Sequence, residues 1–196
     1  ILNQSYQKFE IIIVNDEPGK LSKNILSAIK KKDKRIKIIN NTKNIGAGRS
    51  RNKAINLAKG KYIAFIDSDD LWKKNKLKTQ INIMRKFNYN VSHTAYYIID
   101  NNGKKLALRK SKNLNYKTLK DSCDIGLSTV IINKIILKKD IMFSNYITKE
   151  DYYLWLKITK HGEIFHYIDQ PLSYWRKTHN SLSSSIIQKF IDSFKV

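Results

Sequence analysis

Apolar positions change their period several times along this chain. Residues 10–15, "EIIIVN", form a short continuous apolar run, as expected of a strand covered on both faces. "DEPG" (16–19) interrupts it, and Leu21, Ile25, Ala28 and Ile29 then recur at helical spacing. "RIKIINN" (35–41) reads as a second strand. "GAGRSRNKAINLAKG" (46–60) reads as a helix with Ala47, Ala54, Leu57 and Ala58 inward and Gly60 as its stop. "YIAFID" (62–67) reads as a third strand and "NKLKTQINIMRKF" (75–87) as another amphipathic helix. Strand and helix alternate with short connections, which predicts an α/β layered fold with a mainly parallel sheet flanked by helices.

The second half is patterned differently. "VSHTAYYIID" (91–100), the turn "NNGKK" and "LALRK" (106–110) predict a hairpin. "STVIIN" (128–133) reads as another strand, and "DYYLWLKITKHG" (151–162) as a helix stopped at Gly162. Two short extended segments follow, "EIFHYID" (163–169) and "LSYWRK" (172–177), and "SIIQKFIDSF" (185–194) closes as a helix. No repeat, Pro-rich linker or low-complexity tract divides residues 1–196, so one domain is expected.

Charge complicates this picture. The 196 residues carry 38 Lys and Arg against 16 Asp and Glu, a formal net charge of +22. The basic residues are scattered, with short clusters at 30–35 and 73–76 and no aromatic-interleaved stripe. A compositional bias, with Lys, Ile and Asn high throughout, is the first reading of the charge; attraction to an anionic membrane surface comes second, and specific nucleic-acid binding is not expected. No apolar run reaches the roughly 20 residues of a membrane-spanning helix, and no secretory leader is read at the start. A single Cys123 excludes an internal disulfide or a multi-cysteine metal site and suits a reducing cytoplasm.

Against that basic background the acids cluster. Asp67, Asp69 and Asp70 end the third strand, where ligands sit in open α/β sheets. Alternate residues of an extended segment project the same way, so Asp67 and Asp69 can converge on Mg²⁺ or Mn²⁺, hard cations that prefer oxygen ligands. The competing reading is a solvated acidic turn or helix cap. "GAGRSR" (46–51) mimics a dinucleotide fingerprint but holds Arg51 at the third glycine position, so a nicotinamide enzyme is not expected. Close packing at Gly46 and Gly48, with Arg49 or Arg51 facing a phosphate, is the alternative. Glu150 and Asp151 open a helix, and two readings stand: a capping box from Thr148 to Asp151, or a general base. Arg176 and His179 in "YWRKTHNSLS" (174–183) could meet a diphosphate or its metal.

Four stretches in order then resemble one family. "SYQKFEIIIVNDEPG", "NTKNIGAGRSRNKAINLAKGKYIAFIDSDDLWKKNKL", "TKEDYYLWLKITKHG" and "PLSYWRKTHNSLS" resemble the inverting family 2 glycosyltransferases of the GT-A (Rossmann-like) fold. The resemblance implies a nucleotide-sugar-binding half, 1–90, and an acceptor-binding half, 91–196. It implies that Asp16 and Asp67 lie near the nucleoside of a UDP-sugar and that Asp69 holds Mn²⁺ or Mg²⁺. Asp151 would take the proton of the acceptor hydroxyl, with Glu150, Arg176 and His179 as diphosphate or acceptor contacts. A saccharide or lipid-linked saccharide acceptor, surface-glycan synthesis and a location at the cytoplasmic membrane face are implied with it.

Two departures qualify the resemblance. Asn15, Asp16 and "EPG" stand where the family usually has two acids before "GS". The family also has a strand and helix ahead of the position of "ILNQSY", and that strand is central in its sheet. The expectation is an opened sheet and weak donor binding, and the rival reading is a truncated, inactive nucleotide-sugar-binding module.

Overall fold

The computed structural model describes residues 1–178. Strands β1 (Ile11–Asn15) and β2 (Ile36–Asn40) pair in parallel around helix α1 (Lys20–Lys30). Helix α2 (Ala47–Leu57) leads to β3 (Tyr62–Ala64), and the acidic loop connects β3 to the two-residue β4 (Leu71–Trp72). Helix α3 (Lys76–Phe87), the hairpin β5 (Val91–Ile99) and β6 (Lys105–Arg109), and the short α4 (Tyr116–Asp121) follow. A 3₁₀ turn (Leu127–Thr129) precedes β7 (Ile131–Asn133), then come α5 (Glu150–Lys160) and β8 (His166–Arg176).

The second sheet runs β3-β7-β5-β8-β4, with β6 added beside β5. The fold is α/β as expected, but the second sheet is mixed and mostly antiparallel rather than mainly parallel. Parallel pairing is confined to β1–β2 and β5–β8, because the β5–β6 hairpin and the long returns that bring β7 beside β3 and β5 and β8 beside β4 supply antiparallel neighbours. The two extended segments after Gly162 form one strand through Pro171, tolerated where β5 and β8 shift register around Ala95. "STVIIN" is half turn and half strand. Helix α2 stops at Leu57, three residues before Gly60, and buries Ile55 while Leu57 is exposed.

Between β1 and β3 lies an apolar cavity of about 300 Å³ whose lining includes Ile11, Ile12, Ile55, Ile63 and Phe65. β1 pairs only with β2, and β3 only with β7, so the facing strand edges carry no ladder among the described residues. This leaves room for a strand between them. One expectation fails on α1: Leu21 and Ile25 are 74% and 53% exposed, and no residue of the helix is buried.

The main core fixes the site. Phe65, two residues before Asp67, meets Phe143 edge-on at 5.3 Å between ring centroids. Both rings also contact fully buried Trp155, one turn into α5 beyond Asp151. Burial of three such rings sets the end of β3 against the start of α5. No described helix is long and apolar enough to cross a membrane.

Candidate active site

The acidic loop is tied down by its own buried member. Asp70 is 7% exposed; its Oδ2 accepts from Ser128 Oγ at 2.6 Å and its Oδ1 from the Arg176 backbone N–H at 3.0 Å. Ser128 Oγ also accepts from the Asp67 N–H at 3.1 Å. Burial, with Asp67 and Asp69 nearby, pushes the Asp70 carboxyl up to about 6 despite those donors. Asp69, by contrast, is exposed, and its carboxylate accepts no hydrogen bond from a described residue.

Arg51 joins the loop to α5. Its Nη2 donates to Asp67 Oδ1 at 2.9 Å and its Nη1 to Glu150 Oε1, while the guanidinium lies 5.4 Å from the Phe143 ring centroid. Burial opposes the charged form, but Asp67 and Glu150 hold its pKa above the ordinary value. The third glycine position of "GAGRSR" is thus an arginine because two carboxylates converge there. Gly48 lets this happen: a Cβ on it would lie 2.2 Å from Ser144 O. Asn52 completes the contact, donating to Phe143 O at 2.9 Å and accepting from Phe143 N at 3.0 Å.

Asp151 sits beside this clamp in the first turn of α5, half-buried, its Oδ1 accepting from Tyr152 N at 2.7 Å. Burial first, then Glu150, push its carboxyl up to about 6. The helix begins at Glu150 with Lys149 at the N-cap position and no side-chain cap bond, so the capping frame lies one residue later than Thr148 predicts.

Asp16 stands at the end of β1. Its Oδ1 accepts from Ile45 N (2.9 Å) and Asn41 Nδ2 (2.8 Å), and its Oδ2 from Gly46 N (2.8 Å). Burial opposes ionisation, but these donors outweigh it and hold the carboxyl below its usual range. Gly46, at φ 88°, takes a left-handed conformation that favours glycine. Arg176 reaches the site by a different route than expected. Its guanidinium donates to the carbonyls of Asp69 (3.0 Å), Asp100 and Asn101 (both 2.9 Å), tying the acidic loop to the β5–β6 turn. Arg49 is exposed, and His179 lies outside the described residues.

Arg51 therefore joins Asp67 of the acidic loop to Glu150 and the neighbouring Asp151, with Asp16 at the opening of the same helix, while Asp69 lies two residues beyond Asp67 on the loop. Ser128 and Asn52 were not foreseen; a lone Ser or Asn gives no periodic or motif signal. Among the described residues no three His, Cys, Asp or Glu side chains form a self-sufficient metal site. The donor set nonetheless fits a hard dication. Asp69 is an open carboxylate beside Asp67, whose side chain is 37% exposed, and such ions complete their shells with water and phosphate.

Comparison with known proteins gives the family. The family model described as Glycosyl transferase family 2 matches residues 1–143. The chain is 38% identical over 168 residues to WfgD of Escherichia coli, named a UDP-Glc:alpha-D-GlcNAc-diphosphoundecaprenol beta-1,3-glucosyltransferase, covering 84% of this chain. It is 34% identical over 187 residues to TuaG of Bacillus subtilis, named a putative teichuronic acid biosynthesis glycosyltransferase, covering 94% of this chain. It spans 63% of the first relative's length and 74% of the second's. Among solved structures, S. aureus TarS 1–349 in complex with UDP-GlcNAc superposes with a TM-score of 0.74 at 22% identity, covering 93% of this chain and 54% of that one. The Pyrobaculum calidifontis mannosyltransferase PcManGT, in complex with GDP-Man and Mn²⁺, gives 0.68 at 13% identity, covering 99% and 58%. These structural matches give the fold as GT-A. The match over residues 1–143 identifies this chain as a member of glycosyl transferase family 2.

Proposed function

We propose that this chain forms the catalytic core of a metal-dependent, inverting glycosyltransferase. It would move a sugar from a nucleotide-sugar donor, of UDP type, to a lipid-linked saccharide in surface-glycan synthesis. The observation that carries the reading is the Arg51 clamp, which ties Asp67 of the acidic loop to Glu150, the chain neighbour of Asp151.

Asp16 and Asp67 would meet the nucleoside, and Asp67 and Asp69 would hold Mg²⁺ or Mn²⁺. Bound there, the cation supplies positive charge for the departing nucleoside diphosphate. Asp151 would accept the proton of the acceptor hydroxyl as its oxygen attacks the anomeric carbon from the face opposite the leaving group, inverting it. A carboxyl at about 6 is ionised at neutral pH yet basic enough to take that proton. Arg51 keeps Glu150 and Asp67 from repelling each other at close range. The acceptor class rests on WfgD, whose name specifies a diphosphoundecaprenol substrate. Peripheral residence at the cytoplasmic membrane face follows from such an acceptor, and the +22 charge suits an anionic leaflet.

The test is transfer from UDP-glucose, UDP-GlcNAc and GDP-mannose to a polyprenyl-diphosphate GlcNAc acceptor with Mn²⁺. Asp151→Asn should abolish turnover and keep UDP binding, whereas Asp69→Ala should lose Mn²⁺-dependent UDP binding. Full turnover by Asp151→Asn would overturn the assignment. A second reading, a nucleotide-sugar-binding module without turnover, is favoured by the open channel between β1 and β3. Donor binding with no transfer to any acceptor would select it.

A further inference from the structure

Lys76 is the largest charged side chain buried in the described structure, with no exposed surface at all. Its Nζ donates to Gln80 Oε1 at 2.6 Å and lies 4.4 Å from the centroid of the Trp72 ring. No carboxylate pairs with it, so burial alone pushes the ammonium down to about 7. Its two partners, Gln80 on α3 and Trp72 on β4, are uncharged, and Gln80 in turn bonds Ser92 on β5 and the Thr129 carbonyl of the 3₁₀ turn. An unpaired buried cation costs stability, so its presence calls for a role.

Both side chains that Lys76 touches lead to the same turn. Trp72 Nε1 donates to Ser128 O at 2.8 Å, and Gln80 Nε2 donates to Thr129 O at 3.0 Å and to Ser92 Oγ at 3.1 Å. Two successive carbonyls of the turn are therefore held by two residues that share one ammonium. The Ser128 hydroxyl, projecting from that turn, then holds Asp67 N and Asp70 Oδ2.

We propose that Lys76 is a positioning residue for the acidic loop, acting through Trp72, Gln80 and Ser128 on the placement of Asp67 and Asp69. The cation orients the electron-rich indole face and the amide oxygen at once, which an apolar residue of equal length cannot do. The inference rests on the reading of that loop as the donor and metal site.

The experiment compares the full chain with Lys76→Met, Lys76→Arg and Trp72→Phe, measuring UDP affinity with Mn²⁺ and the melting temperature. Asp69→Ala is run in parallel. Lys76→Met removes a buried charge, so its melting temperature is expected to equal or exceed that of the parent. Its UDP affinity should fall roughly 10-fold or more, as for other supports of metal-holding groups. Lys76→Arg should recover part of that loss, and Trp72→Phe, which keeps the ring but loses the bond to Ser128, should reproduce it. The linkage has a definite sign. A lysine whose folded pKa is depressed destabilises the fold below its unfolded pKa, so the parent should gain stability from about pH 7 upward and Lys76→Met should not.

Unchanged UDP affinity in Lys76→Met, with Asp69→Ala impaired, overturns the inference alone. A joint fall of affinity and melting temperature in Lys76→Met, with no recovery by Lys76→Arg, also overturns it in favour of a purely structural lysine. Unimpaired Asp69→Ala instead removes the reading of the loop on which the inference stands.

Discussion

Replacing Gly48 by Ala tests the packing that brings the two acidic clusters together. The new Cβ would stand 2.2 Å from the Ser144 carbonyl oxygen and 3.4 Å from Glu150 Cβ and Cγ. Relief to an ordinary contact needs about 1 Å of displacement between α2 and the 144 segment. That segment cannot drift freely, because Asn52, on the same helix, holds both the N–H and the carbonyl of Phe143. Overpacking against a fixed backbone costs about 3 kcal/mol at the upper end of its usual range. Alanine recovers about 1 kcal/mol of helix propensity over glycine, leaving a net loss of about 2 kcal/mol. For a chain of this size the melting temperature should fall by about 4–8 °C. Differential scanning calorimetry reads this directly, with Gly19→Ala as the control, since a Cβ there meets nothing within 4 Å. A Gly48→Ala melting temperature equal to that of Gly19→Ala would refute the argument.

Arg51→Met should destabilise by about 3 kcal/mol, since it leaves Asp67 and Glu150 facing each other without their shared cation. Arg51→Lys should not rescue it in a thermal melt, because an ammonium cannot fork to both carboxylates. Turnover should rise with pH through about 6 as Asp151 ionises, and an initial-rate profile flat from about pH 5 to 7 would count against its role as base. The stability linkage runs the other way. Asp70 and Asp151 titrate above their ordinary values, so their contribution is present at low pH and lost as pH rises through about 6. Extending the chain ahead of Ile1 by an apolar strand and helix should raise both the melting temperature and UDP affinity, and no change in either would defeat the strand-slot reading.

Local patterns were legible where they depend on neighbours in sequence. The β5–β6 hairpin follows from two extended segments flanking "NNGKK", with Gly103 at φ 85° in the turn. Helix α5 ends as Gly162 predicts, and the acidic loop falls at the end of β3. Helix α4 was missed although Asn115 and Thr118 form a reciprocal cap, a signal readable in "NYKT". What could not be read were bonds between distant segments. Arg51 is 99 residues from Glu150, so no local rule ties the oddity in "GAGRSR" to the start of α5. Arg176 looked like a ligand contact from its charge, but three backbone carbonyls claim it. Leu21 and Ile25 have helical periodicity, yet periodicity alone cannot supply the surface that would cover them.

The bond from the Arg176 N–H to Asp70 spans 106 residues, and it sets an order of events as the polypeptide is made. Asp70 emerges early, but its second donor arrives only when β8 has been synthesised and laid between β5 and β4. Contacts of such high sequence separation form late, because chain entropy must be overcome first. Until then the acid-rich segment holds an unsatisfied carboxylate and stays open to water. The loop can take its final shape only near the close of folding, so a nascent chain lacking β8 would hold the acids without their final geometry.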